Sequence, residues 1–497
     1  MKRQIGRSLK LRAVSVGGLS VAALALYKFA GYAAQDHTTG QNYGMALLQT
    51  AYWVVREQFG LVEQAIVPFT EEEISVAAIQ YCLRSGGKVL KDTVVKRISV
   101  RRLSTDNFEH RGLMYCIDVH YAHGSSGPSQ VFLKVFPQSF SSRLRARLTG
   151  WSLTEAKFYE EKIADQCSMK VAEVYFCGYI PGRQAFCLVQ EMLGHCPRGI
   201  PNEVLGVPLS NSIAAVRALA RMHAKYMNKV CASDMEWCGR VFRSMRFRTL
   251  LRTAQLNIDR FLSLLKNLER DGYLPQGIIS AEVIGYYKRV VNAYLPHTET
   301  NHAPRETGGH HNVTLCHGDF RGVNLLLEGE SGVLVCDFQR VHANSPGVDL
   351  ASFLSSCVHD DPDTTNTREI IAAYHQELTA HGVDPIDYPW HRLLAETSLG
   401  FTYEAFQHVL CVEYLLQKVG LDHSTGSGVI HAEMESCMSF FCSRIRRGIS
   451  LAKRWNTIKM MELSLASSGT FPGVGKYARW LPQELNEDGF HPDSLSF

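Results

Sequence analysis

The sequence predicts an α+β fold in two lobes, a β-rich lobe over about 70–193 and a mainly helical lobe over about 194–455. Five strand-like segments fall in the first lobe, where apolar residues alternate with polar ones or form short unbroken runs. In the second lobe, apolar residues recur every three or four positions, as on the core-facing stripe of a helix. With 45% hydrophobic and 20% charged residues, the 497-residue chain has the composition of a globular protein.

The first lobe begins with a predicted helix over 70–86, because Thr70 and Glu73 have the spacing of a capping box and two glycines end the pattern. The predicted strands follow at 99–103, 113–122, 131–137, 171–179 and 185–193. A basic run at 141–147 is expected to be a solvated surface, and a further helix is expected over 154–166.

Charge and cysteine content indicate whether the protein binds nucleic acid and whether its compartment is reducing. The net charge of +4 belongs to the N-terminus, where five basic residues lie in the first twelve positions and no acid precedes Asp36. The rest of the chain is close to neutral, which argues against a nucleic-acid-binding protein. The fourteen cysteines include no CxxC pair, which indicates reduced thiols in a reducing compartment and gives no support for zinc.

Residues 1–35 form a basic and apolar targeting or anchor segment with several interpretations. It has the outline of a signal peptide, the composition of a mitochondrial transit segment, and, over 13–34, nearly the length of a membrane anchor. An ordinary surface helix is the remaining alternative. Because free thiols argue against secretion, we predict a mitochondrial or membrane-anchored protein, with the cytoplasm as alternative. At the other end, 456–497 is rich in Gly, Pro and Ser, and we expect a loosely held tail.

Polar residues follow strand ends within one block of the second lobe, 313–350. Asp319 follows an apolar run, Asn324 comes five residues later, and Asp337 closes the next apolar run. Phosphoryl transfer from a nucleotide uses this order, with the first Asp on the acceptor hydroxyl and the Asn and second Asp on metal ions. Each residue alone could be a turn residue. Three in this register favour a site for Mg²⁺, which prefers oxygen ligands.

The motif HGDxxxxN at 317–324, followed by DFQ at 337–339 and DL at 349–350, resembles the aminoglycoside phosphotransferase and choline kinase superfamily. DFQ in place of DFG is similar to its ecdysteroid-kinase-like (CHK kinase-like) branch. The resemblance implies a bilobal protein-kinase-like fold, whose small lobe is a five-stranded antiparallel sheet with a helix. It also implies ATP and Mg²⁺ as cofactors, with Asp349 and His317 supporting the catalytic loop.

The first lobe supplies candidate nucleotide-binding residues. Lys134 lies between apolar strand residues and needs a partner, because an unpaired buried ammonium is costly. By resemblance it contacts the α- and β-phosphates and pairs with Glu155 on the next helix; alternatively, it extends to solvent from an edge strand. Asn107 resembles the family's phosphate-loop asparagine, although 104–106 contain no glycine, which makes close approach of the backbone to phosphate harder.

The sequence also offers candidates for adenine binding, for support of the catalytic loop and for the acceptor pocket. The resemblance implies that the carbonyl of Glu191 and the amide of Leu193 pair with the adenine edge, where the lobes join. We expect His223 to make a structural hydrogen bond to the catalytic loop. Polar and aromatic residues at 403–407 either reach the acceptor pocket or belong to the core. The histidine-rich stretch 297–311 is expected to be a solvated linker.

These observations together predict an ATP-dependent phosphotransferase that acts on a hydroxyl group of a small molecule. Asp319 would orient and deprotonate the hydroxyl, while Asn324 and Asp337 hold Mg²⁺. The resemblance favours a steroid-like or otherwise lipophilic alcohol, with choline or an aminoglycoside-type substrate as alternatives. A catalytically weak nucleotide-binding scaffold is the rival from another class, and the glycine-poor phosphate loop favours it.

Overall fold

The structure, a computed structural model, describes residues 37–58, 67–87, 89–103, 112–136, 138–193, 205–230, 233–238, 245–296, 312–358, 364–412, 432–466 and 481–482. The helices are α1 His37–Gln58, α2 Val76–Ser85, α3 Phe140–Thr149, α4 Trp151–Glu160, α5 Ile163–Gln166, α6 Leu209–Tyr226, α7 Met245–Arg270, α8 Ala281–Arg289, α9 Pro346–Cys357, α10 Thr364–Ala380, α11 Trp390–Leu410, α12 Ala432–Arg454 and α13 Thr457–Ala466. The strands are β1 Val95–Arg102, β2 Leu113–Tyr121, β3 Gln130–Val135, β4 Val174–Ile180, β5 Ala185–Glu191, β6 Thr314–Cys316, β7 Leu325–Glu328, β8 Gly332–Val335 and β9 His342–Asn344. The predicted segment 1–35, Asn107 and the linker 297–311 lie outside the described residues.

Strands β1 to β5 form one antiparallel sheet in the order β1-β2-β3-β5-β4. This sheet and the helices that follow it confirm the predicted α+β fold. On β2, Tyr115, Ile117 and Val119 are buried on one face, as their alternation predicts. They pack with Leu133 of β3 and Ile79 of α2, so α2 covers this face of the sheet.

The helix predicted over 70–86 is divided into two pieces. A 3₁₀ turn spans Glu71–Glu73, and its Glu73 carboxylate accepts the backbone N–H of Thr70 at 3.0 Å, as the capping pattern predicts. The chain then extends through Ile74 and begins α2 at a second cap, where Ser75 Oγ accepts the N–H of Ala78. Because Ser75 is itself a strong N-cap, the first turn does not continue into the helix.

The segment between β3 and β4 also differs from its prediction. Residues 141–147 were expected to be a solvated basic surface, but they lie in α3, where the side chain of Arg143 is almost fully buried. Gly150, with φ of +68°, separates α3 from α4, so the second helix begins at Trp151 instead of 154. The basic side chains of α3 bind partners on α1, which composition alone does not indicate.

Helix α9 is the centre of the helical lobe, because every residue from Pro346 to Cys357 is buried. Helix α11 packs closely along it: a Cβ added to Gly400 would lie 2.5 Å from the carbonyl oxygen of Gly347. Ser345 caps α9, and its Oγ accepts the N–H of Gly347. The first turn of α9, which carries Asp349, is therefore held firmly beside the end of β6.

The C-terminal segment is more ordered than predicted where the structure describes it. The expected loose tail 456–497 begins with α13, whose Met460 and Met461 are buried in the helical core. Leu481 is buried as well. Among the described residues, none of the helices has both the length and the apolar character required to cross a membrane.

We expect the buried His408 to lower the free energy of unfolding in acid. Burial and the charge of Arg444 lower the pKa of His408 from 6.5 to about 3. Between these pH values the unfolded chain binds a proton at this histidine that the folded chain does not. The free energy of unfolding is therefore undiminished above pH 6.5 and decreases as the pH falls. We expect His408→Gln to remove about 2 kcal/mol of the difference in unfolding free energy between pH 7 and pH 5. Urea denaturation at both pH values measures this.

The exposed His381 provides the control for this experiment. Only a change in pH dependence that is larger in His408→Gln than in His381→Gln supports the prediction. An unchanged dependence in His408→Gln would contradict the assignment of a buried, neutral imidazole at this position.

Candidate active site

Three charged side chains from separate elements meet between the lobes. Lys134 Nζ of β3 lies 2.9 Å from both carboxylate oxygens of Glu155 on α4 and 2.7 Å from Oδ1 of Asp337. Lys134 and Glu155 are 5% and 1% exposed. The predicted pairing of Lys134 with Glu155 is therefore present, and the edge-strand alternative is wrong because β3 lies in the middle of the sheet.

Two buried carboxylates compete for the Lys134 ammonium. Desolvation by burial disfavours the Lys134 ammonium, but Asp337 and Glu155 outweigh it and raise the pKa of Lys134 above its usual range. Burial raises the pKa of Glu155 to about 7, with Lys134 opposing and Asp337 adding to the shift. Two carboxylates thus share one ammonium, so a further cation near Asp337 would be favoured.

The loop after β6 carries Asp319 and Asn324. It turns at Gly318, whose φ is +75° and where an added Cβ would lie 2.3 Å from the carbonyl oxygen of Arg340. The Asn324 amide then donates to the backbone oxygen of Asp319 at 2.8 Å and to its Oδ2 at 3.2 Å. The backbone oxygen of Asn324 accepts the N–H of Cys336 at 3.0 Å, so Asn324 adjoins the segment that holds Asp337.

Asp337 occupies an unusual backbone conformation at the end of β8. Its φ and ψ are 66° and 67°, in the left-handed region that costs energy for residues other than glycine. Phe338 stacks on Phe158 of α4 with ring centroids 3.6 Å apart, and Thr154 Oγ1 of α4 donates to the backbone oxygen of Gln339. These contacts join the DFQ segment to α4 and stabilise the Asp337 conformation.

Asp349 holds the backbone of the loop after β6, which carries Asp319 and Asn324. Its carboxylate accepts the N–H groups of His317 at 2.6 Å and Gly318 at 2.8 Å, and lies 3.2 Å from Nε2 of His223. Burial would raise the pKa of Asp349, but its hydrogen bond and charge interaction with His223 lower it. His223 also lies 2.7 Å from the Tyr374 hydroxyl. The predicted structural bond from His223 to this loop is thus made through Asp349.

His317 and a group of possible metal ligands complete the support of this loop. Burial lowers the pKa of His317, so the imidazole is neutral, and its Nε2 lies 3.1 Å from the carbonyl oxygen of Cys336. His223, Cys316 and Asp349 form the candidate metal cluster found among the described residues. The Cys316 thiol contacts the Ser345 carbonyl oxygen, so these three side chains serve as internal hydrogen-bonding groups.

Two arginines that sequence reasoning missed contact the Asp319 carboxylate. Arg321 Nε lies 2.7 Å from Oδ1, and Arg340 Nη1 lies 3.4 Å from the same oxygen. Arg340 also donates to Gln407 of α11 at 3.0 Å. Burial raises the pKa of Asp319, while the charge of Arg340 opposes that shift. The signal available in the sequence was the position of each arginine: Arg321 lies within the HGDxxxxN motif, and Arg340 directly follows DFQ.

The residues at 403–407 divide between the two roles that the sequence left open. Glu404 is buried in an ion pair with Arg444 at 2.7 Å, and although burial opposes ionisation, Arg444 lowers the pKa of Glu404 to about 2. Gln407, by contrast, reaches Arg340 and so adjoins Asp319. Glu404 is therefore part of the core, and Gln407 lies at the edge of the candidate acceptor site.

The predicted adenine-binding residues lie at the end of β5. Glu191 is the last residue of the strand and its N–H donates to the Glu173 carbonyl oxygen at 2.8 Å. Leu193 is buried in a small apolar cluster with Ala172, Leu326 and Leu334. Since Leu326 and Leu334 come from β7 and β8, this cluster joins the end of the first lobe to the β7–β8 hairpin of the second.

Residues 202–383 match the model of the ecdysteroid kinase-like family. This match confirms the resemblance noted in the sequence, over the segment that contains Asp319, Asn324 and Asp337. A search of curated protein sequences found no match.

Solved structures of small-molecule kinases are similar to this chain at low identity. A putative aminoglycoside phosphotransferase from Ralstonia eutropha JMP134 is 14% identical, covering 76% of this chain and 98% of its own, with a TM-score of 0.40. An ethanolamine kinase from Plasmodium vivax is 12% identical, covering 76% and 89%, with a TM-score of 0.41. A choline kinase from Streptococcus pneumoniae is 13% identical, covering 77% and 97%, with a TM-score of 0.38. Similarity at this level does not indicate a substrate for this chain.

Proposed function

We propose that this protein is an ATP-dependent phosphotransferase that phosphorylates a hydroxyl group of a small molecule. The observation that carries the proposal is the bond from Lys134 to both Glu155 and Asp337, which joins the two lobes across the predicted nucleotide site. Asp319 and Asn324 lie on the adjoining loop. An ammonium, two metal-ligand candidates and a carboxylate base are the set that phosphoryl transfer requires.

The donor atoms fit a magnesium ion. Asp337 offers a carboxylate and Asn324 an amide oxygen, and Mg²⁺ binds such oxygen ligands while keeping several waters. Mg²⁺, when bound, would neutralise charge on the phosphates of ATP. Lys134 would contact the α- and β-phosphates while Glu155 keeps its ammonium in position. Asp319 would orient the acceptor hydroxyl and accept its proton late in the transfer, when little base strength is needed.

The acceptor is proposed from the resemblance and from the shape of the segment after Asp337. The ecdysteroid kinase-like match favours a steroid-like or otherwise lipophilic alcohol over choline or ethanolamine. Only β9 and a capped turn separate the DFQ segment from α9, which leaves little chain for docking a peptide. We therefore infer a small alcohol and not a protein as substrate.

A phosphorylation screen tests the proposal directly. The purified protein is incubated with ATP, Mg²⁺ and a library of alcohols that includes sterols, choline and aminoglycosides, and phosphorylated products are identified by mass spectrometry. Metal-dependent ATP binding with a product that disappears in Asp319→Asn would support the proposal. Thermal shift by ATP without metal dependence, and no product, would favour a nucleotide-binding scaffold, for which the glycine-poor stretch 104–106 is the supporting observation.

We expect Arg340 to affect the pKa of Asp319, the proposed catalytic base. Burial raises the pKa of Asp319 and the Arg340 guanidinium opposes that rise, so Arg340→Gln should raise the pKa further and move the acidic limb of the kcat–pH profile to higher pH. We expect kcat to fall about 10-fold to 100-fold, because the carboxylate also loses a positioning contact. The KM for ATP should change less than about twofold, since Arg340 contacts Asp319 and Gln407 and not the Lys134 cluster.

The matched control for this variant is Arg143→Gln, which also removes a buried arginine but lies on α3 beside Glu57. Its pH profile should keep the parent shape. If Arg340→Gln and Arg143→Gln shift the acidic limb equally, Arg340 has no specific effect on Asp319.

A further inference from the structure

Helix α1 has two apolar faces, of which one is packed. Ala46 and Leu47 are buried against Leu144 and Leu148 of α3. Thr50, on the same face, is also buried. This inner face is what attaches α1 to the small lobe.

The outer face of α1 is a stripe of large apolar side chains that we call the α1 stripe: Met45, Leu48, Tyr52 and Val55. Their exposed fractions are 55%, 63%, 56% and 47%. Spacings of three and four residues place them on one side of the helix. A helix that is apolar on both sides is normally covered on both sides, so we expect a binding partner on the α1 stripe.

The α1 stripe cannot turn inward, because polar contacts fix the rotation of the helix. The Glu57 carboxylate binds Arg143 of α3 and also Arg183, on the turn between β4 and β5. Seven residues before it, on the same side of the helix, Arg147 of α3 donates to Thr50 Oγ1 at 3.3 Å. These bonds hold the side of α1 opposite the stripe against the protein, so the stripe faces away from the core.

Charge and aromatic content around the α1 stripe fit a lipid surface. Arg56 lies over the rings of Tyr52 and Trp53, at 5.6 and 5.1 Å from their centroids. Paired basic and aromatic side chains are typical of helices at the boundary between headgroups and acyl chains. The chain that leads into α1 carries six basic residues and no acid before Asp36. Such a segment is attracted to anionic lipid by about 1 kcal/mol for each basic residue near the surface.

We propose that α1 lies on the surface of an anionic membrane, with the α1 stripe in the headgroup region and α3 holding the enzyme above it. A second copy of this chain is a poorer occupant, because it carries the same excess of basic residues before Asp36 and so offers no complementary charge, which anionic lipid does. The proposal adds a location to the protein and does not depend on its reaction.

Vesicle flotation with the full chain tests the proposal. Phosphatidylcholine vesicles with about 30% phosphatidylserine are compared with phosphatidylcholine alone, because only the first carries the surface potential that attracts basic segments. We expect binding to the anionic vesicles, and at least about tenfold weaker partitioning for Leu48→Glu/Val55→Glu, which places two charges in the apolar stripe. Ile386→Glu, at an 85% exposed apolar residue of the helical lobe, is the control and should bind like the parent.

Each other outcome overturns the proposal. Equal vesicle binding by the stripe variant and the parent would mean that 1–35 binds lipid without α1. A second possible result is that the parent does not bind vesicles, forms dimers in light scattering, and becomes monomeric in the stripe variant. This result would assign the stripe to a second copy of the chain. Absence of both would leave the stripe without a membrane role. A large fall in melting temperature for the stripe variant alone would show that the stripe is covered within the chain.

Discussion

Asp319→Asn is expected to abolish turnover while leaving nucleotide binding intact. The substitution preserves the shape of the side chain but removes the group that would orient the hydroxyl and accept its proton. We expect kcat to fall at least about 10³-fold. The Lys134 ammonium bonds to Glu155 and Asp337, so the dissociation constant for ATP should stay within about twofold of the parent value. Single-turnover phosphorylation and ATP titration measure the two quantities separately.

The same substitution has a structural cost that must be measured beside activity. Arg321 and Arg340 both contact the Asp319 carboxylate, and loss of one partner of a buried ion pair costs about 3–5 kcal/mol. The melting temperature should therefore decrease, and assays belong at a temperature where the variant is folded. Near-normal turnover in the folded variant would refute the assignment of Asp319 as the base.

The fold was largely predictable because its signals are local. The alternation on β2 and the capping pattern at Thr70 both depend on a few neighbouring residues, and both are seen in the structure. The boundaries that failed depended on competing local signals, as at Ser75, where a second cap begins α2. The α3 prediction failed for another reason, because the partner of Arg143 is Glu57, 86 residues away.

The site was predictable only where a motif brought spacing and residue type together. Asp319, Asn324 and Asp337 occur in such a motif, and Lys134 was implied by its position in a buried strand. Arg340 carries no such pattern. Its role depends on the Gly318 turn, which places its backbone oxygen against the loop, and on Gln407, which comes from α11. Contacts between distant segments of the chain are not encoded in local periodicity.

Asp337→Asn is expected to give the second large effect, on metal dependence. In the parent protein Lys134 is bonded to both Glu155 and Asp337, so two carboxylates compete for one ammonium. The variant loses a carboxylate ligand for Mg²⁺. We expect kcat to fall at least about 10³-fold at ordinary Mg²⁺ concentrations. The Mg²⁺ concentration for half-maximal activity should rise about 10-fold to 100-fold.

Glu155→Gln is the matched control, because it removes the other carboxylate that is bonded to Lys134. Glu155 binds Lys134 from the α4 side and is not placed to be a metal ligand in the proposed mechanism. Its variant should raise the KM for ATP, since Lys134 loses its positioning partner, and leave the half-maximal Mg²⁺ concentration within about twofold of the parent. If both variants raised the Mg²⁺ requirement equally, the effect would follow from cluster charge alone, and Asp337 would not be a metal ligand. A rise in the Mg²⁺ requirement that is confined to Asp337→Asn is the result expected if Asp337, and not Glu155, binds the ion.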